Sequence, residues 1–223
     1  MNLLGLIEQY KEELEAIGST PPPAPRWNQD WFPRLDAAAA YAMVRTLRPR
    51  RIVEVGAGHS TRFMARAVAD GRLDTRITVV DPTPRADLRG LRVEHLAVAV
   101  QQAGRWPFDD LEKDDILFID SSHQLKPGSD VEFLFGEVVP KLPAGVRVHF
   151  HDIFLPDDYP AQWSWRRYNE QESVGLLLKS GAFKAEFSSH AIVSRQPEKI
   201  RGVLARLPLV PGAIESSLWL TKQ

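Results

Sequence analysis

The chain has 223 residues, a length that fits one α/β domain with short additions. Its 28 basic and 29 acidic residues leave a formal net charge of −1, so the composition gives no support for binding nucleic acid or an anionic membrane. Cysteine is absent, which excludes disulfides, thiolate metal sites and a cysteine nucleophile.

An amphipathic helix is predicted near the amino terminus. Its apolar residues recur at helical spacing: Leu3, Leu4, Leu6, Ile7, Tyr10, Leu14 and Ile17. Acids interrupt this pattern and no basic residues precede it, so a signal peptide is not expected here. No apolar run is long enough to span a bilayer, and a cytoplasmic protein is expected. The helix would dock on the core, pair with a second subunit or cap a site, and docking is the simplest.

The glycine and prolines of residues 18–25 end this helix in a stiff linker. Three aromatic residues follow, and they would either line the mouth of a pocket or fix the linker to the core: Trp27, Trp31 and Phe32. Asp36 is then the predicted N-cap of an alanine-rich helix over residues 37–47. We therefore predict a helix and linker or cap at residues 1–35, and a main domain at residues 36–223.

The next stretch predicts a strand, a glycine turn, a helix and a second strand. Residues 52–55 and residues 77–80 are short runs rich in β-branched residues, as buried strands are. A Gly-Ala-Gly turn at residues 56–58 opens the helix, and Asp81 ends the second strand. This is the layout of a nucleoside-binding βαβ unit.

Polar residues of this unit indicate which nucleoside it suits. A dinucleotide site favours a third glycine where this chain has Thr61. Glu54 would repel a pyrophosphate but suits an amino group and a sulfonium, while the helix start suits a carboxylate. Asp81 is placed to accept hydrogen bonds from ribose hydroxyls. The pattern resembles the cofactor site of class I S-adenosylmethionine-dependent methyltransferases, and the predicted cofactor residues are Glu54, Gly56, Ala57, Gly58, Ser60, Thr61, Asp81 and Asp120.

The rest of the sequence predicts strands and helices in alternation. A third strand lies around Val93 and a short helix at residues 106–113. The later strands are predicted at residues 115–120, 146–150, 183–187 and 217–221. The later helices are predicted at residues 130–142, 163–179 and 197–207.

Aspartates end three of the predicted strands: Asp81, Asp120 and Asp152. In an open parallel sheet, ligands bind beyond the carboxyl ends of the strands, so these acids should line one crevice. Asp120 and Asp152 end strands that are expected to be neighbours, and two converging carboxylates favour a hard divalent cation between them. His151 would be a third ligand, a group behind the ligands or a hydrogen-bonded residue at the strand end.

His123 follows Asp120 by three residues and is the candidate general base. With an ordinary pKa of about 6.5, neutral imidazole accepts a hydroxyl proton near pH 7. The alternative is a structural histidine in a loop. The other histidines are expected to be packing or surface residues, or in one case to border the cofactor: His95, His149, His190 and His59.

A closer resemblance is carried by four stretches, VEVGAGHSTRF, DILFIDSSH, VHFHDIFLPDDYP and YNEQ. Together they resemble the bacterial small-molecule O-methyltransferase family related to macrocin O-methyltransferase. The resemblance implies a Rossmann-like class I methyltransferase fold, with a seven-stranded, mostly parallel sheet flanked by helices and an N-terminal helical extension. It also implies catalysis by His123 with Asp120, and Mg²⁺ or Mn²⁺ held by Asp120, His151 and Asp152. The family has Glu where this chain has His151, and imidazole suits Mn²⁺ better than Mg²⁺.

On this interpretation the protein transfers a methyl group from S-adenosylmethionine to a hydroxyl of a small molecule, a sugar or another polyol-like metabolite. Substrate contacts are guessed at Tyr159, Trp163 and Tyr168, with packing as the equal alternative. Nucleic acid and membrane partners are not expected, and a homo-oligomer stays open. The alternatives are a cofactor-binding protein without turnover, an NAD-dependent oxidoreductase, and a metal-free methyltransferase that uses His123 alone.

Overall fold

One seven-stranded sheet organises the molecule. The computed structural model describes residues 1–18 and 20–223, so Ser19, in the predicted linker, lies outside the described residues. The sheet order is β3-β2-β1-β4-β5-β7-β6, with β7 antiparallel to both of its neighbours, which confirms the predicted seven-stranded, mostly parallel sheet. In chain order the strands are β1 (Arg51–Val55), β2 (Arg76–Val80), β3 (Glu94–Leu96), β4 (Ile116–Ile119), β5 (Arg147–Phe150), β6 (Phe183–Ser188) and β7 (Leu218–Lys222).

Helices cover both faces of this sheet. Successive residues of β4 point to opposite faces, so Phe118 enters one apolar cluster and Ile119 enters the other. The α-helices are α1 (Leu3–Gln9), α2 (Lys11–Glu15), α3 (Arg34–Leu47), α4 (His59–Asp70), α5 (Val100–Ala103), α6 (Asp130–Phe133), α7 (Glu170–Lys179), α8 (Ser189–Arg195) and α9 (Val203–Arg206).

The amino-terminal segment packs on the first of these clusters. It forms two short helices that meet at Tyr10, instead of the one helix predicted. The buried residues of these helices and of the turn that follows join the cluster built by α3 and α4: Leu3, Ile7, Leu14 and Ile17. Trp27 and Phe32 are buried and fix the following linker to the core, whereas Trp31 is 51% exposed and lines a cavity. Of the two roles predicted for these aromatic residues, Trp27 and Phe32 fix the linker to the core and Trp31 lines a cavity.

The α3 helix corrects the prediction for Asp36. The helix begins at Arg34, after Pro33, so Asp36 lies inside its first turn and is not the N-cap. The Glu215 carboxylate accepts a hydrogen bond from the Leu35 amide instead, at 2.7 Å, and so satisfies a free N–H at the helix start. Asp36 is fully buried, which the sequence pattern did not indicate.

Four predicted helices are shorter or broken in the structure. Residues 130–142 form one α-helical turn, a π-helical turn and a 3₁₀ turn, since Pro140 has no N–H to continue the ladder. In residues 163–179, Arg167 is left-handed with φ 56° and separates a 3₁₀ segment from α7. Residues 106–113 form turns only, and residues 197–207 contain a 3₁₀ turn and then α9.

Across residues 1–18 and 20–223, no helix combines the length and the hydropathy that a membrane crossing requires.

Candidate active site

The turn after β1 brings the backbone of two strand ends into contact. Gly56 has φ +84°, and a Cβ at this position would lie 1.8 Å from the Asp120 carbonyl oxygen. Only glycine permits this approach. A Cβ on Gly58 would meet nothing within 4 Å, because this glycine faces open space. The first glycine therefore serves the fold, and the second leaves room for a ligand.

That open space is a cavity of about 910 Å³ at the carboxyl ends of β1, β2 and β4. Its volume is within the range of small-molecule and cofactor sites. The amino-terminal linker supplies one wall, which includes Arg26, Asp30 and Trp31. The other walls come from the residues after the strands, namely residues 55–60, 80–83, 99–101, 120–122 and 128–130.

Asp81 lies on the cavity wall where the sequence places it. Its Oδ2 accepts a hydrogen bond from the Ala57 amide at 2.6 Å, and its Oδ1 accepts one from the Thr83 amide at 2.7 Å. A carboxylate oxygen has a second lone pair, so both oxygens can still accept a ligand hydroxyl. The two backbone bonds hold the side chain in one orientation.

Glu54 and Thr61 lie behind the glycine turn and not on the cavity wall. Both are buried, and the Glu54 carboxylate accepts hydrogen bonds from the hydroxyls of Ser60 at 2.5 Å and Thr61 at 2.6 Å. Thr61 Oγ1 in turn accepts a bond from the Gly58 amide. Burial raises the pKa of Glu54 to about 8, although these hydrogen bonds act in the opposite direction. Of the predicted cofactor residues, these two support the turn, while Ala57 and Ser60 line the cavity.

Asp120 and Asp152 converge on one imidazole, as expected from the pairing of β4 with β5. His123 Nε2 lies 3.2 Å from Asp120 Oδ1 and 3.6 Å from Asp152 Oδ2, and His123 Nδ1 contacts Glu170 Oε2 at 2.8 Å. Burial alone lowers the pKa of His123, but the bonds to Asp120 and Glu170 and the charge of Asp152 raise it well above its ordinary value. The surrounding carboxylates therefore favour the protonated form of His123, unlike the unperturbed imidazole assumed from the sequence.

His151 lies on the other side of the same two aspartates. Its Nδ1 is 3.6 Å from Asp120 Oδ1 and 3.5 Å from Asp152 Oδ1, while its Nε2 is 3.3 Å from Asp36 Oδ2. Burial lowers the pKa of His151, but the charges of Asp120 and Asp152 outweigh it and raise the pKa well above its ordinary value. Asp36 is held by the amides of Ser216 and Ser217, both at 3.0 Å, so α3 and the segment before β7 fix this imidazole.

The backbone is strained at two residues of this cluster. His123 has φ 58° and Asp152 has φ 55°, a left-handed conformation that is uncommon for residues with a Cβ. Such conformations persist where the surroundings impose them, and they concentrate at functional sites. Here the His123 carbonyl accepts the Asn169 amide, and the Asp152 carboxylate accepts the Ser216 hydroxyl.

The positions of the His123 and His151 imidazoles bear on whether a divalent cation fits between Asp120 and Asp152. Each aspartate already has histidine nitrogens beside it, and these supply the positive charge that a metal would otherwise provide. In the part of the chain that the structure describes, no three His, Asp or Glu side chains are arranged to hold a metal ion. The predicted centre of Asp120, His151 and Asp152 does not have metal-binding geometry as these side chains lie.

A smaller cleft of about 120 Å³ adjoins the cavity and reaches this cluster. The two share Asp30, Trp31, Arg85 and Asp120 as lining residues, while His151, Asp152, Trp163 and Arg166 line the cleft alone. Of the three guessed substrate contacts, only Trp163 lines the cleft. Tyr168 packs behind it with its ring 4.6 Å from the His123 ring, and Tyr159 packs on Tyr168 at 5.8 Å.

Two buried carboxylates contact the histidines of this cluster without having been predicted to do so from the sequence, Asp36 and Glu170. Glu170 is fully buried and bonds to His123. Glu170 belongs to YNEQ, one of the four stretches that carry the family resemblance, and this resemblance is the sequence signal that could have indicated it. His149 is buried and stacks on Phe118 at 3.7 Å, as expected of a packing residue. His59 lines the cavity at the start of α4, and burial lowers its pKa to about 4.

Comparison with known proteins agrees with this geometry. A family profile described as a methyltransferase domain matches residues 53–153. No curated protein matches the sequence. The O-methyltransferase of Bacillus cereus, solved in complex with SAH, is 13% identical and has a TM-score of 0.53, over 100% of this chain and 91% of that chain. SAH-bound Podospora anserina methyltransferase PaMTH1 is 14% identical with a TM-score of 0.54, over 100% and 88% of the two chains.

The profile match covers the glycine turn, Asp81, Asp120 and His123, and it ends directly after Asp152. The structural matches extend over the whole sheet. This chain therefore has the Rossmann-like methyltransferase fold and carries a methyltransferase domain at residues 53–153.

Proposed function

We propose that the protein is an S-adenosylmethionine-dependent O-methyltransferase that acts on a hydroxyl of a small molecule, such as a sugar or another polyol-like metabolite. The observation that carries this proposal is the junction at Asp120, which lines both the large cavity and the small cleft. A cofactor in the cavity and an acceptor in the cleft would meet there. The similar B. cereus protein, whose fold this chain shares, is described as an O-methyltransferase in complex with SAH.

The cofactor would lie across the glycine turn, with its ribose hydroxyls on Asp81 and its amino acid part toward the start of α4. Backbone N–H groups at a helix start favour a carboxylate. Asp30, on the wall that the amino-terminal linker supplies, would favour the amino group and the sulfonium. Most of the rate would come from positioning two bound reactants, because a methyl transfer needs the oxygen in line with the carbon–sulfur bond.

In the proposed step, the acceptor oxygen forms a bond to the methyl carbon, the carbon–sulfur bond breaks, and the hydroxyl proton passes to His123 Nε2. His123 must first lose its resting proton, since its pKa is raised. Asp120 and Asp152 would then stabilise the imidazolium that forms, at the distances already present in the structure. The imidazole is oriented from behind by Glu170.

Assistance by Mg²⁺ or Mn²⁺ remains a prediction from the sequence. If a cation binds, Asp120, His151 and Asp152 are the proposed ligands, and both imidazoles must give up protons or move. Calorimetric titration of each metal into the chelator-treated protein tests this, with Asp152→Ala as the variant. Metal binding to wild type that is lost in the variant would support the centre. Activity unchanged by a chelator would favour the metal-free alternative.

Calorimetric titration with S-adenosylhomocysteine tests the proposed cofactor. We expect wild type to bind it in the micromolar range and Asp81→Ala to bind at least about tenfold more weakly, because two hydrogen bonds to ribose are lost. Asp74→Ala, at an exposed position outside the cavity, is the matched control and should bind as wild type does. Absence of binding to wild type would refute the proposed function.

A further inference from the structure

The small cleft is lined by both acids and arginines. We call Asp120, Asp152 and the adjacent His151 its floor; the other charged residues that line it are Asp30, Arg85 and Arg166. The floor carboxylates already have imidazole partners, so a neutral hydroxyl group is a suitable neighbour for them. An anionic group placed at the floor would be repelled by both aspartates.

Arg166 has no carboxylate partner, although it is half-buried. Its guanidinium carbon lies 4.3 Å from the centre of the Trp163 ring, 5.3 Å from that of Trp165 and 5.5 Å from that of Tyr168. Its Nη1 donates a hydrogen bond to the Tyr168 hydroxyl at 3.1 Å. Within residues 1–18 and 20–223 its Nε has no acceptor, and Nη2 makes no hydrogen bond.

Three other half-buried arginines have carboxylate partners, whereas the buried Arg62 donates a hydrogen bond to the Asp87 backbone carbonyl. Arg34 forms two hydrogen bonds to the Glu215 carboxylate, Arg66 bonds to Asp70 at 2.8 Å, and Arg147 lies within 3.6 Å of both Asp114 and Glu186. Burying a cation without a counter-charge is costly, so paired arginines are the ordinary outcome. Arg166 is held by aromatic rings, whose faces attract its charge but provide no acceptor in the plane of the guanidinium.

Arg85 is the second arginine that lines the cleft. Its guanidinium carbon lies 4.4 Å from the centre of the Trp31 ring, and both residues line the cleft and the large cavity. Because Arg85 also lines the large cavity, it is in reach of both proposed ligands. Arg166 lines the cleft but not the large cavity, so it would contact only the ligand bound in the cleft.

We propose that the acceptor of this enzyme is a hydroxylated acid, whose carboxylate or phosphate binds Arg166 while its hydroxyl lies beside Asp120, which lines both the cleft and the large cavity. This inference rests on the proposed methyltransferase function and specifies its substrate class. A guanidinium fork presents parallel N–H donors that match a carboxylate or phosphate, and the Trp163 ring fixes its plane. The acidic floor and the cationic wall together orient the acceptor.

The test is calorimetric binding of matched probes to protein saturated with S-adenosylhomocysteine. One pair is 3,4-dihydroxybenzoate and 3,4-dihydroxybenzamide, and the other is glucose 6-phosphate and glucose, so the two pairs distinguish a carboxylate from a phosphate. We expect the acid of at least one pair to bind about tenfold or more tightly than its neutral partner. In Arg166→Gln this preference should fall to within about twofold.

Arg167→Gln is the matched control, because it removes the same charge from an exposed neighbour that does not line the cleft. It should keep the preference of wild type. If neither acid binds more tightly than its neutral partner, or if Arg166→Gln keeps the preference, the inference is wrong. The affinity of the same samples for S-adenosylhomocysteine reports separately on the proposed function, and Arg166→Gln should leave that affinity unchanged.

Discussion

Glu54 shows how one buried side chain couples folding to pH. Its carboxylate lies under the glycine turn, with the hydroxyls of Ser60 and Thr61 on its two oxygens. In the folded protein its pKa is about 8, against an ordinary value of 4.5. The folded state therefore holds this proton more tightly than the unfolded state does, and the stabilisation is complete below the ordinary pKa.

We predict that this stabilisation is lost as pH rises from about 4.5 to about 8. Glu54→Gln keeps the shape of the protonated side chain but cannot ionise. The variant should therefore keep its stability over this pH range. The free energy of unfolding of wild type relative to this variant should fall by an amount on the order of a few kcal/mol across that window. Urea unfolding at several pH values, without cofactor, measures it. A difference that does not change with pH would contradict the buried acid.

Glu170 sets the proton affinity of the proposed base. It is fully buried and contacts His123 Nδ1 at 2.8 Å, and this bond contributes to the raised pKa of His123. The proposed step needs His123 without its resting proton, so the rate should rise with pH through that raised pKa. Glu170→Gln keeps an acceptor oxygen but removes the charge, and should shift the rise toward lower pH. Single-turnover rates against pH check this, and an unmoved profile would contradict it.

At the scale of elements, the turn after β1 joins the sheet to the cavity through two glycines with different tasks. We predict that Gly56→Ala destabilises the protein by more than about 3 kcal/mol, since its Cβ would overlap the Asp120 carbonyl. Gly58→Ala should unfold as wild type does but bind S-adenosylhomocysteine more weakly, because its Cβ enters the cavity. Thermal unfolding and calorimetry separate the two effects. Equal stability of both variants would contradict this assignment.

The elements that the sequence predicts best are those with a short-range signal. Buried runs of β-branched residues predicted β1, β2, β4 and β5 within one residue at each end, and the acids that follow β2, β4 and β5 were correctly placed at one edge. Pattern alone failed for the helix predicted at residues 130–142, where a proline and a π-helical turn interrupt the helical spacing.

The parts of the site that the sequence did not predict depend on contacts between distant residues. The sequence predicts Asp36 to be an N-cap because aspartate is favoured at that position of a helix. In the structure its carboxylate instead accepts a hydrogen bond from the Ser216 amide, 180 residues later. The raised pKa of His123 depends on three carboxylates, those of Asp120, Asp152 and Glu170, which different parts of the chain bring together, so no local pattern reveals it. The sequence predicts that Glu54 contacts the ligand, but its carboxylate oxygens accept hydrogen bonds from the hydroxyls of Ser60 and Thr61 instead.

At the scale of the whole molecule, Glu215 joins two parts of the chain that are about 180 residues apart. Its buried carboxylate accepts two hydrogen bonds from the Arg34 guanidinium, each at 2.9 Å, and one from the Leu35 amide at 2.7 Å. This contact links the start of α3 with the segment that leads to β7. Asp36, one residue further along α3, binds the amides that follow Glu215.

We predict that Glu215→Ala lowers the free energy of unfolding by about 3–5 kcal/mol, because it leaves a largely buried guanidinium without its partner. Glu137→Ala is the control, since Glu137 pairs with Lys141 on the surface, where such pairs contribute less than about 1 kcal/mol. Urea unfolding of both variants measures the difference. Similar small losses in the two variants would show that the Arg34 pair does not stabilise the fold.

The position of β7 between β5 and β6 has a consequence for biosynthesis. Six strands leave the ribosome before residues 218–222 exist, yet β6 pairs with the sheet through β7 alone among its described neighbours. The amides that hold Asp36, and through it His151, belong to residues 216 and 217. The cofactor half of the sheet can thus form while translation continues, but the imidazole cluster can be completed only after this late segment emerges. A nascent chain would gain the large cavity before the contacts around His151 are complete.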